Sequence, residues 1–319
     1  MRHRSLPPTD PEQHDYAQAE TKEVLFTSVR ELLQKANVHP SQVDIIVTNC
    51  SLHSPTPSMS SLVINHFGMR PDIRSFSLAG MGCSASVIAL DAAQMALKSM
   101  PNSVALVLST EIIGNQVYYG NERPFLVANC IFRMGGAAAL LSNRPGDKPR
   151  AKYRLDHIVR THMGANDVSL GCMRKAYDAS GIPGMYLGKD ILESVKAGLK
   201  ATTFDYKLGH EPVKFLPNFE IMFGHICAHT GGRTILAALE KNLGLSSRHM
   251  QPAYDTLMRF GNTSSASTWY VLAHIETNRG VCKGDTVWQL AVGGGIKCNS
   301  AVWTAMRSFT DPHAAWLDG

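Results

Sequence analysis

The segment LAGMGCS, residues 78–84, decides the fold of this chain. An apolar run that predicts a short strand, Ile73–Ser77, leads into it, and a helical pattern, Ser84–Lys98, follows it. Gly80 and Gly82 allow backbone angles that are closed to other residues, so a tight turn fits between the strand and the helix. The segment therefore predicts a strand–turn–helix unit with a cysteine at the start of a buried helix.

Cys83 is the sharpest chemical feature of this unit. The unpaired N–H groups and the positive end of the helix stabilise an anion at such a position. We therefore expect a thiolate with a lowered pKa, which is a good nucleophile. The alternative is a small buried hydrophobic residue, as most free cysteines are, and we favour that reading for the other six cysteines.

A second loop-to-helix junction carries two histidines, His225 and His229, four residues apart. On a helix they would share a face, but no glutamate stands at the metalloprotease position and no third ligand is evident, so we expect no metal. The run Thr230-Gly231-Gly232 favours a loop that presents His229 at a helix start, where an imidazole donates a hydrogen bond or moves a proton. A core histidine with satisfied hydrogen bonds remains the alternative.

A third junction, RFGNTSS at residues 259–265, contains Asn262. Its side chain either caps the following helix or supplies an oxyanion donor. Cys83, His229 and Asn262 thus form a candidate nucleophilic constellation, although spacing alone does not bring them together.

The rest of the sequence alternates predicted strands with predicted helices, which is typical of α/β layers around a parallel or mixed sheet. We expect a loose tail at residues 1–16, a first half at 17–150 and a second half at 151–319, with the polar connector Arg144–Arg150 between the halves. The further strands are Asp44–Thr48, Val104–Ser109, Ala137–Ser142, Tyr153–Arg160 and Val287–Val292. The further helices are Ala17–Ala36, Met59–His66, Gly188–Lys200, Gly231–Asn242 and Ser265–Thr277.

The composition of the 319 residues, 44% hydrophobic and 18% charged, is that of a globular protein with a large core. Lysine and arginine exceed the acidic residues by 31 to 26, a net charge of +5 that permits anionic ligands. No basic–aromatic module predicts a nucleic-acid partner. The seven cysteines without a CxxC pair indicate a reducing compartment, and no apolar stretch reaches the ~20 residues of a membrane span.

Nine segments of the chain resemble the plant-type 3-ketoacyl-CoA synthases, the condensing enzymes of very-long-chain fatty acid elongation, which are related to chalcone synthase and the type III polyketide synthases. The resemblance follows the family order through most of the chain after about residue 20. The segments are VDIIVTNCSLHSPTP (43–57), Ser58–Met69, LAGMGCS (78–84), Ser109–Glu111, NCIFRMGG (129–136), YRLDHIVRTHMG (153–164), Pro217–Arg233, RFGNTSS (259–265) and GGGIKCNSAVW (293–303).

The resemblance implies a thiolase-like fold of two similar halves in αβαβα layers, usually a homodimer. It implies a decarboxylative Claisen condensation of a long-chain acyl-CoA with malonyl-CoA, which gives a 3-oxoacyl-CoA, CO₂ and CoA. No metal, nicotinamide or flavin cofactor is expected. The family also implies the endoplasmic reticulum membrane and other elongation enzymes, the reductases and the dehydratase, as partners.

The resemblance assigns roles to the candidate residues. Cys83 accepts the acyl group, and His229 with Asn262 assists malonyl decarboxylation and holds the enolate oxygen. His225 and His162 match two further histidines of the family. The glycine-rich loop lining the site is formed by Gly293, Gly294 and Gly295.

The chain departs from the family pattern in four places. Two N-terminal membrane spans and the first strand of the fold have no counterpart in it, and the segment Lys200–Pro217 is shorter than the family's. Met258 stands where the family has a histidine, and a thioether neither donates a hydrogen bond nor carries a proton. These departures leave two alternatives open: an inactive, truncated paralogue that acts as a partner subunit, and another condensing enzyme such as a type III polyketide synthase.

Overall fold

The first of two four-stranded sheets is built from the amino-terminal half of the chain, as described by a computed structural model for residues 11–204 and 218–317. Strand β1 (Ile45–Asn49) lies between β2 (Arg74–Leu78) and β3 (Val104–Glu111) and runs parallel to both. Strand β4 (Gly135–Ser142) pairs antiparallel with β3. All eight residues of β3 are buried, which explains its unbroken apolar run.

The second sheet repeats this design in the carboxyl-terminal half. Strand β8 (His225–Ala228) runs parallel to β9 (Thr286–Gly293), and β10 (Lys297–Ala305) turns back antiparallel on β9. Strand β5 (Tyr153–His162) adds to the far side of β10. In the first sheet, no strand of the described residues occupies the corresponding place beside β4.

Helices cover both sheets and fill the space between them. Helices α1 (Pro11–Ala36) and α2 (Met59–Phe67) pack on the first sheet, and α6 (Ile191–Phe204) packs on the second. Helix α3 (Ala85–Ser99) and helix α10 (Ser267–Asn278) contact strands of both sheets. The α/β fold of two similar halves in αβαβα layers, predicted above, is therefore confirmed.

The remaining elements are shorter or peripheral. A hairpin of β6 and β7 and six further α-helices connect the layers, and 3-10 helices span Pro40–Gln42, Pro145–Arg150 and Ser264–Ala266. Their bounds are β6 (Met173–Tyr177), β7 (Pro183–Leu187), α4 (Arg123–Ile131), α5 (Asp167–Gly171), α7 (Phe219–Met222), α8 (Arg233–Leu243), α9 (Ser247–Phe260) and α11 (Ala314–Leu317). Within the described residues, every helix is too short or too polar to cross a bilayer.

Several boundaries differ from the sequence-based predictions. Helix α1 begins at Pro11, six residues before the predicted start at Ala17, so the predicted loose tail is wrong for residues 11–16. Residues 1–10 lie outside the described residues, as does most of the predicted short segment Lys200–Pro217. Helix α9 was not predicted, because Pro252 inside it reads as a helix breaker.

The polar connector between the halves is a structural element rather than a charged surface. Two of its basic side chains, and two that follow it in the sequence, form ion pairs with carboxylates, at N···O distances of 2.5 to 2.9 Å. The pairs are Arg144–Asp44, Arg150–Asp147, Lys152–Glu276 and Arg154–Asp156. These four basic side chains therefore bind carboxylates of the protein itself.

Candidate active site

Cys83 lies in the turn between β2 and α3, as the sequence predicts. Gly82, at φ 71°, closes the turn, and the Ala85 amide donates to its carbonyl at 3.0 Å to begin the helix. The Cys83 side chain is only 4% exposed. The cysteine is therefore held at the start of α3, in the middle layer of the fold.

The glycine-rich loop after β9 packs directly on this turn. A Cβ atom on Gly293 would lie 2.7 Å from the Ser84 nitrogen and 2.8 Å from the Cys83 nitrogen. A Cβ atom on Gly82 would lie 2.4 Å from the Gly294 nitrogen. Neither approach leaves room for a side chain, so glycine at both positions is required by the contact between the two halves. Gly293 and Gly294 thus line the site, while Gly295 turns the chain at φ 70°.

The thiol of Cys83 is protonated at rest. Its pKa is raised to about 12, chiefly by burial; the Ser264 hydroxyl acts against this rise, and the negative charge of Glu111 adds to it. The prediction of a lowered pKa at this helix start is wrong, because the loss of hydration outweighs the stabilisation by the helix end. The proton must therefore leave the sulfur during the step in which the sulfur reacts.

His229 follows the last residue of β8 and is 3% exposed. Its amide donates to the Leu290 carbonyl at 2.9 Å, and its Nδ1 lies 2.6 Å from the Ser267 Oγ atom. Burial lowers the pKa of His229 to about 4, so the imidazole is neutral at neutral pH. The loop position predicted for His229 is the one observed, with Gly232 as the N-cap of α8.

The Asn262 side chain caps a helix through its oxygen and keeps its Nδ2 group as a hydrogen-bond donor. Its Oδ1 accepts the Ser264 amide at 2.8 Å, where the 3-10 helix Ser264–Ala266 begins. Its backbone is fixed by bonds to Ile131 and Arg133 at 2.8 and 2.9 Å. The Nδ2 group makes no hydrogen bond to any residue that the structure describes, which leaves it available to an oxyanion.

Ser264 connects the three predicted groups, which form no direct hydrogen bonds with one another in the described structure. Its amide binds Asn262, and its carbonyl accepts the Ser267 hydroxyl at 2.8 Å, next to His229. Its own hydroxyl lowers the pKa of Cys83. Since the Ser267 hydroxyl has one proton for two neighbours, it also decides which ring nitrogen of His229 carries the hydrogen.

Glu111, at the end of β3, is a buried acid that the sequence analysis did not select. It is 1% exposed, and its Oε1 accepts hydrogen bonds from the Leu52 amide (2.8 Å), the Ser51 amide (3.2 Å) and the Cys50 thiol (3.1 Å). Burial raises its pKa, although the Ser264 hydroxyl and these donors act against that rise. An acid directly after an apolar strand was the available signal, because such a residue is costly to bury.

The two remaining predicted histidines lie away from Cys83. His225 begins β8, at the opposite end of that strand from His229, and its Nε2 pairs with Asp285 at 3.0 Å. The two histidines are four residue steps apart along an extended chain, about 13 Å, so they do not form the pair that a helix would give. His162 ends β5 opposite Lys297, which follows the glycine loop, and its Nδ1 accepts the Gly164 amide at 2.9 Å. His162 therefore lies at the rim of the site and His225 outside it.

Met258, the predicted departure from the family pattern, lies on α9 with 83% of its surface exposed. A histidine at this position would likewise face outward. The thioether therefore removes no group from the cluster around Ser264.

Two protein-family models match the chain. Residues 3–209 match the FAE1/type III polyketide synthase-like proteins, and residues 223–305 match the 3-oxoacyl-(acyl-carrier-protein) synthase III C-terminal family. Together the two matches cover both halves of the fold.

Curated plant proteins match nearly the whole chain. 3-Ketoacyl-CoA synthase 5 of Arabidopsis thaliana is 43% identical over 98% of this chain and 68% of its own length. 3-Ketoacyl-CoA synthase 11 of the same plant is 44% identical over 95% and 64%. The probable 3-ketoacyl-CoA synthase 20 of Oryza sativa subsp. japonica is 46% identical over 95% and 61%. The chain thus spans about two thirds of the length of these relatives.

Solved structures with the same fold are type III polyketide synthases. The 1,3,6,8-tetrahydroxynaphthalene synthase of Streptomyces coelicolor superimposes with a TM-score of 0.76, at 20% identity, over 92% of this chain and 81% of its own. A fungal type III polyketide synthase gives a TM-score of 0.75, at 22% identity, over 92% and 82%. At this identity the likeness concerns the fold alone.

Proposed function

The chain belongs to the 3-ketoacyl-CoA synthase family, and we propose that it condenses a long-chain acyl-CoA with malonyl-CoA to give a 3-oxoacyl-CoA, CO₂ and CoA. One observation carries the proposal. A buried cysteine at a helix start, a neutral histidine and an asparagine with an unused amide donor all lie beside the short segment Ser264–Ser267.

In the first half-reaction the Cys83 sulfur attacks the carbonyl carbon of the acyl thioester. The negative oxygen that forms needs donors, and the collapse of the intermediate expels CoA and leaves an acyl group on Cys83. A buried sulfur protects this acyl thioester from water. Burial at 4% exposure therefore supports a long-lived acyl-enzyme.

In the second half-reaction malonyl-CoA loses CO₂, and the resulting enolate attacks the acyl thioester. The Asn262 Nδ2 group donates to the enolate oxygen, and the neutral His229 adds a second donor from Nε2. For His229 to donate from Nε2, Ser267 must turn its proton toward Nδ1 and give up its bond to the Ser264 carbonyl. The new carbon–carbon bond releases the Cys83 sulfur, which is reprotonated.

The test is extension of a long-chain acyl-CoA by the protein, expressed with membranes and supplied with radiolabelled malonyl-CoA. We expect one labelled product, longer than the substrate by two carbons. Cys83→Ala abolishes it, while Cys282→Ala, which changes an exposed cysteine, leaves it unchanged. No labelled product from any chain length, with the fold intact, would contradict the proposal.

The second candidate function is that of a type III polyketide synthase, which the fold neighbours favour. Iterated and cyclised products in the same assay would identify it. A single two-carbon extension is expected instead, since the more similar relatives are 3-ketoacyl-CoA synthases.

Three proposals about assembly and location rest on family membership. The chain works in a homodimer, at the endoplasmic reticulum membrane, beside the reductases and the dehydratase of the elongation cycle. The edge strand β2 supports the dimer, because most of its residues are exposed, Phe76 among them at 43%. Sedimentation is expected to give twice the mass of one chain, and Phe76→Asp to give a monomer; monomeric wild-type protein would contradict the dimer.

A further inference from the structure

Lys297 is a buried lysine without a carboxylate partner. It is the first residue of β10, only 9% of its surface is exposed, and its Nζ atom donates to the Gly294 carbonyl at 2.8 Å. Among the residues that the structure describes, no carboxylate forms an ion pair with it, and burial lowers its pKa from the ordinary value of 10.5. A buried cation without a counter-charge is costly, so an anionic ligand that reaches it is stabilised.

The Lys297 side chain folds back over the glycine-rich loop that lines the site. Gly294 accepts the ammonium through its oxygen, and its nitrogen is the atom that a Cβ on Gly82 would meet at 2.4 Å. A Cβ on Gly295 would lie 3.2 Å from Nζ. A single glycine therefore separates the ammonium from the turn that carries Cys83.

Two further basic side chains, both on β5, lie near Lys297 and do not offer a free charge. Arg160 forms an ion pair with Asp91 at 2.9 Å. His162, opposite Lys297 in the sheet, has a pKa lowered by burial and by the charges of Lys297 and Arg160, so it is neutral at neutral pH. Of these three described side chains, Lys297 is thus the one whose positive charge no carboxylate of the protein balances.

Malonyl-CoA is the substrate whose chemistry fits this charge. Its C2 carbon must reach the acyl carbon on the Cys83 sulfur, and its carboxylate is bonded directly to C2. The carboxylate therefore comes close to Cys83 and to the loop that packs on it. A long-chain acyl-CoA has an uncharged hydrocarbon chain beside its carbonyl, so it gains nothing from a cation at this place.

We propose that the Lys297 ammonium binds the carboxylate of malonyl-CoA in the second half-reaction, a role that rests on the proposed function. The two N–H groups that Gly294 leaves unused donate to the carboxylate oxygens. When the bond between C2 and the carboxylate carbon breaks, its electron pair stays on C2 as the enolate, and neutral CO₂ leaves. Lys297 keeps its proton, and the negative charge passes to the enolate oxygen at Asn262 and His229.

This role predicts a change in KM without a loss in kcat. A cation on the carboxylate stabilises bound malonyl-CoA more than the transition state, in which that charge is leaving, so it lowers KM without raising kcat. In Lys297→Met we expect the KM for malonyl-CoA to rise at least tenfold, the order of a hydrogen bond to a charged group. Acylation of Cys83 stays at the wild-type rate, and Lys297→Arg, which keeps the charge, restores most of the affinity.

The direct test is calorimetric binding of two CoA amides, a malonyl amide and an acetyl amide, to the full chain. The amides differ only in the carboxylate, and the amide in place of the thioester resists decarboxylation. We expect the wild type to bind the malonyl amide at least tenfold more tightly than the acetyl amide. Lys297→Met binds both with the affinity that the wild type has for the acetyl amide.

Lys175→Met is the matched control. The Lys175 ammonium also donates to one backbone carbonyl, that of Leu52 at 2.9 Å, but it faces the carboxylate of Glu111. Its removal therefore leaves the preference for the malonyl amide unchanged.

The other outcomes overturn the proposal. Equal binding of the two amides by the wild type, or of neither, would show that no group recognises the carboxylate. Equal weakening of both amides in Lys297→Met would assign the lysine to the CoA phosphates or to the shape of the loop. A malonyl preference that survives in Lys297→Met would place the receptor elsewhere. Because the assay measures binding alone, its result stands whether or not the chain condenses the two substrates.

Discussion

Ser264 adopts the left-handed conformation, φ 54°, which costs a non-glycine residue about 1–2 kcal/mol. Its amide donates to Asn262, and its carbonyl accepts the Ser267 hydroxyl. These two partners hold the strained conformation in place. At the scale of single residues, the site is therefore organised by a serine that performs no bond-making step itself.

The Ser267 hydroxyl controls the donor nitrogen of His229, so its removal affects only the second half-reaction. In Ser267→Ala we expect release of labelled CO₂ from malonyl-CoA to fall about tenfold, within the range of general acid–base contributions. Acylation of Cys83 stays at the wild-type rate. Ser265→Ala serves as control, and an equal loss in both half-reactions would contradict this role.

Burial of His229 makes stability depend on pH. Its folded pKa of about 4 lies below the unfolded value of about 6.5, so the unfolded chain binds the proton first. The free energy of unfolding therefore has its full value above about pH 6.5. It falls by roughly 3 kcal/mol as the pH is lowered toward 4. In urea unfolding, His229→Gln is expected to reduce this loss relative to the wild type. If the free energy of unfolding depends on pH in the same way in both proteins, the role of His229 is contradicted.

At the scale of elements, the turn before α3 and the loop after β9 approach so closely that Gly293 tolerates no Cβ atom. Gly293→Ala is expected to displace the Cys83 amide and reduce condensation at least a hundredfold, the order of loss for a misplaced donor. Gly146→Ala, where nothing lies within 4 Å of the added carbon, is the control. The measurement is the radiolabelled malonyl-CoA assay, and full activity in Gly293→Ala would refute the packing argument.

A buried ion-pair network joins the start of β5 to α10 and the carboxyl-terminal segment. Lys152 contacts both Glu276 and Asp311, and the Glu276 side chain is only 4% exposed. Lys152→Met leaves that carboxylate without its ammonium, so we expect a loss of about 3 kcal/mol in the free energy of unfolding. Lys196→Met, in an exposed pair with Glu193, is expected to change it by less than about 0.5 kcal/mol. Urea titration measures both, and equal small losses would contradict the network's role.

The features that depend only on neighbouring residues could be predicted from the sequence. The turn around Cys83 and the strands that flank it were predictable, because glycine spacing and apolar runs act over a few residues. Glu111 and Ser264 were not, since their relation arises only when β3 and the loop before α10 meet. The pKa of Cys83 was predicted in the wrong direction for the same reason: the burial that raises it comes from residues distant in the sequence, Ala128 and Phe132 among them.

At the scale of the whole molecule, two similar halves meet at α3, and the site forms where the ends of their strands come together. Glu111 comes from the first half; His229, Asn262 and the glycine loop come from the second. The sequence shows no repeat, yet β1, β3 and β4 correspond in order and direction to β8, β9 and β10. The site therefore depends on both halves of one chain.

The central claim, that this assembled cysteine carries the acyl group, is tested most directly by mass spectrometry of the protein after incubation with long-chain acyl-CoAs. We predict one acyl adduct on the peptide that contains Cys83, absent in Cys83→Ala and discharged when malonyl-CoA is added. An adduct on another cysteine, or none on Cys83 with any chain length, would contradict the account.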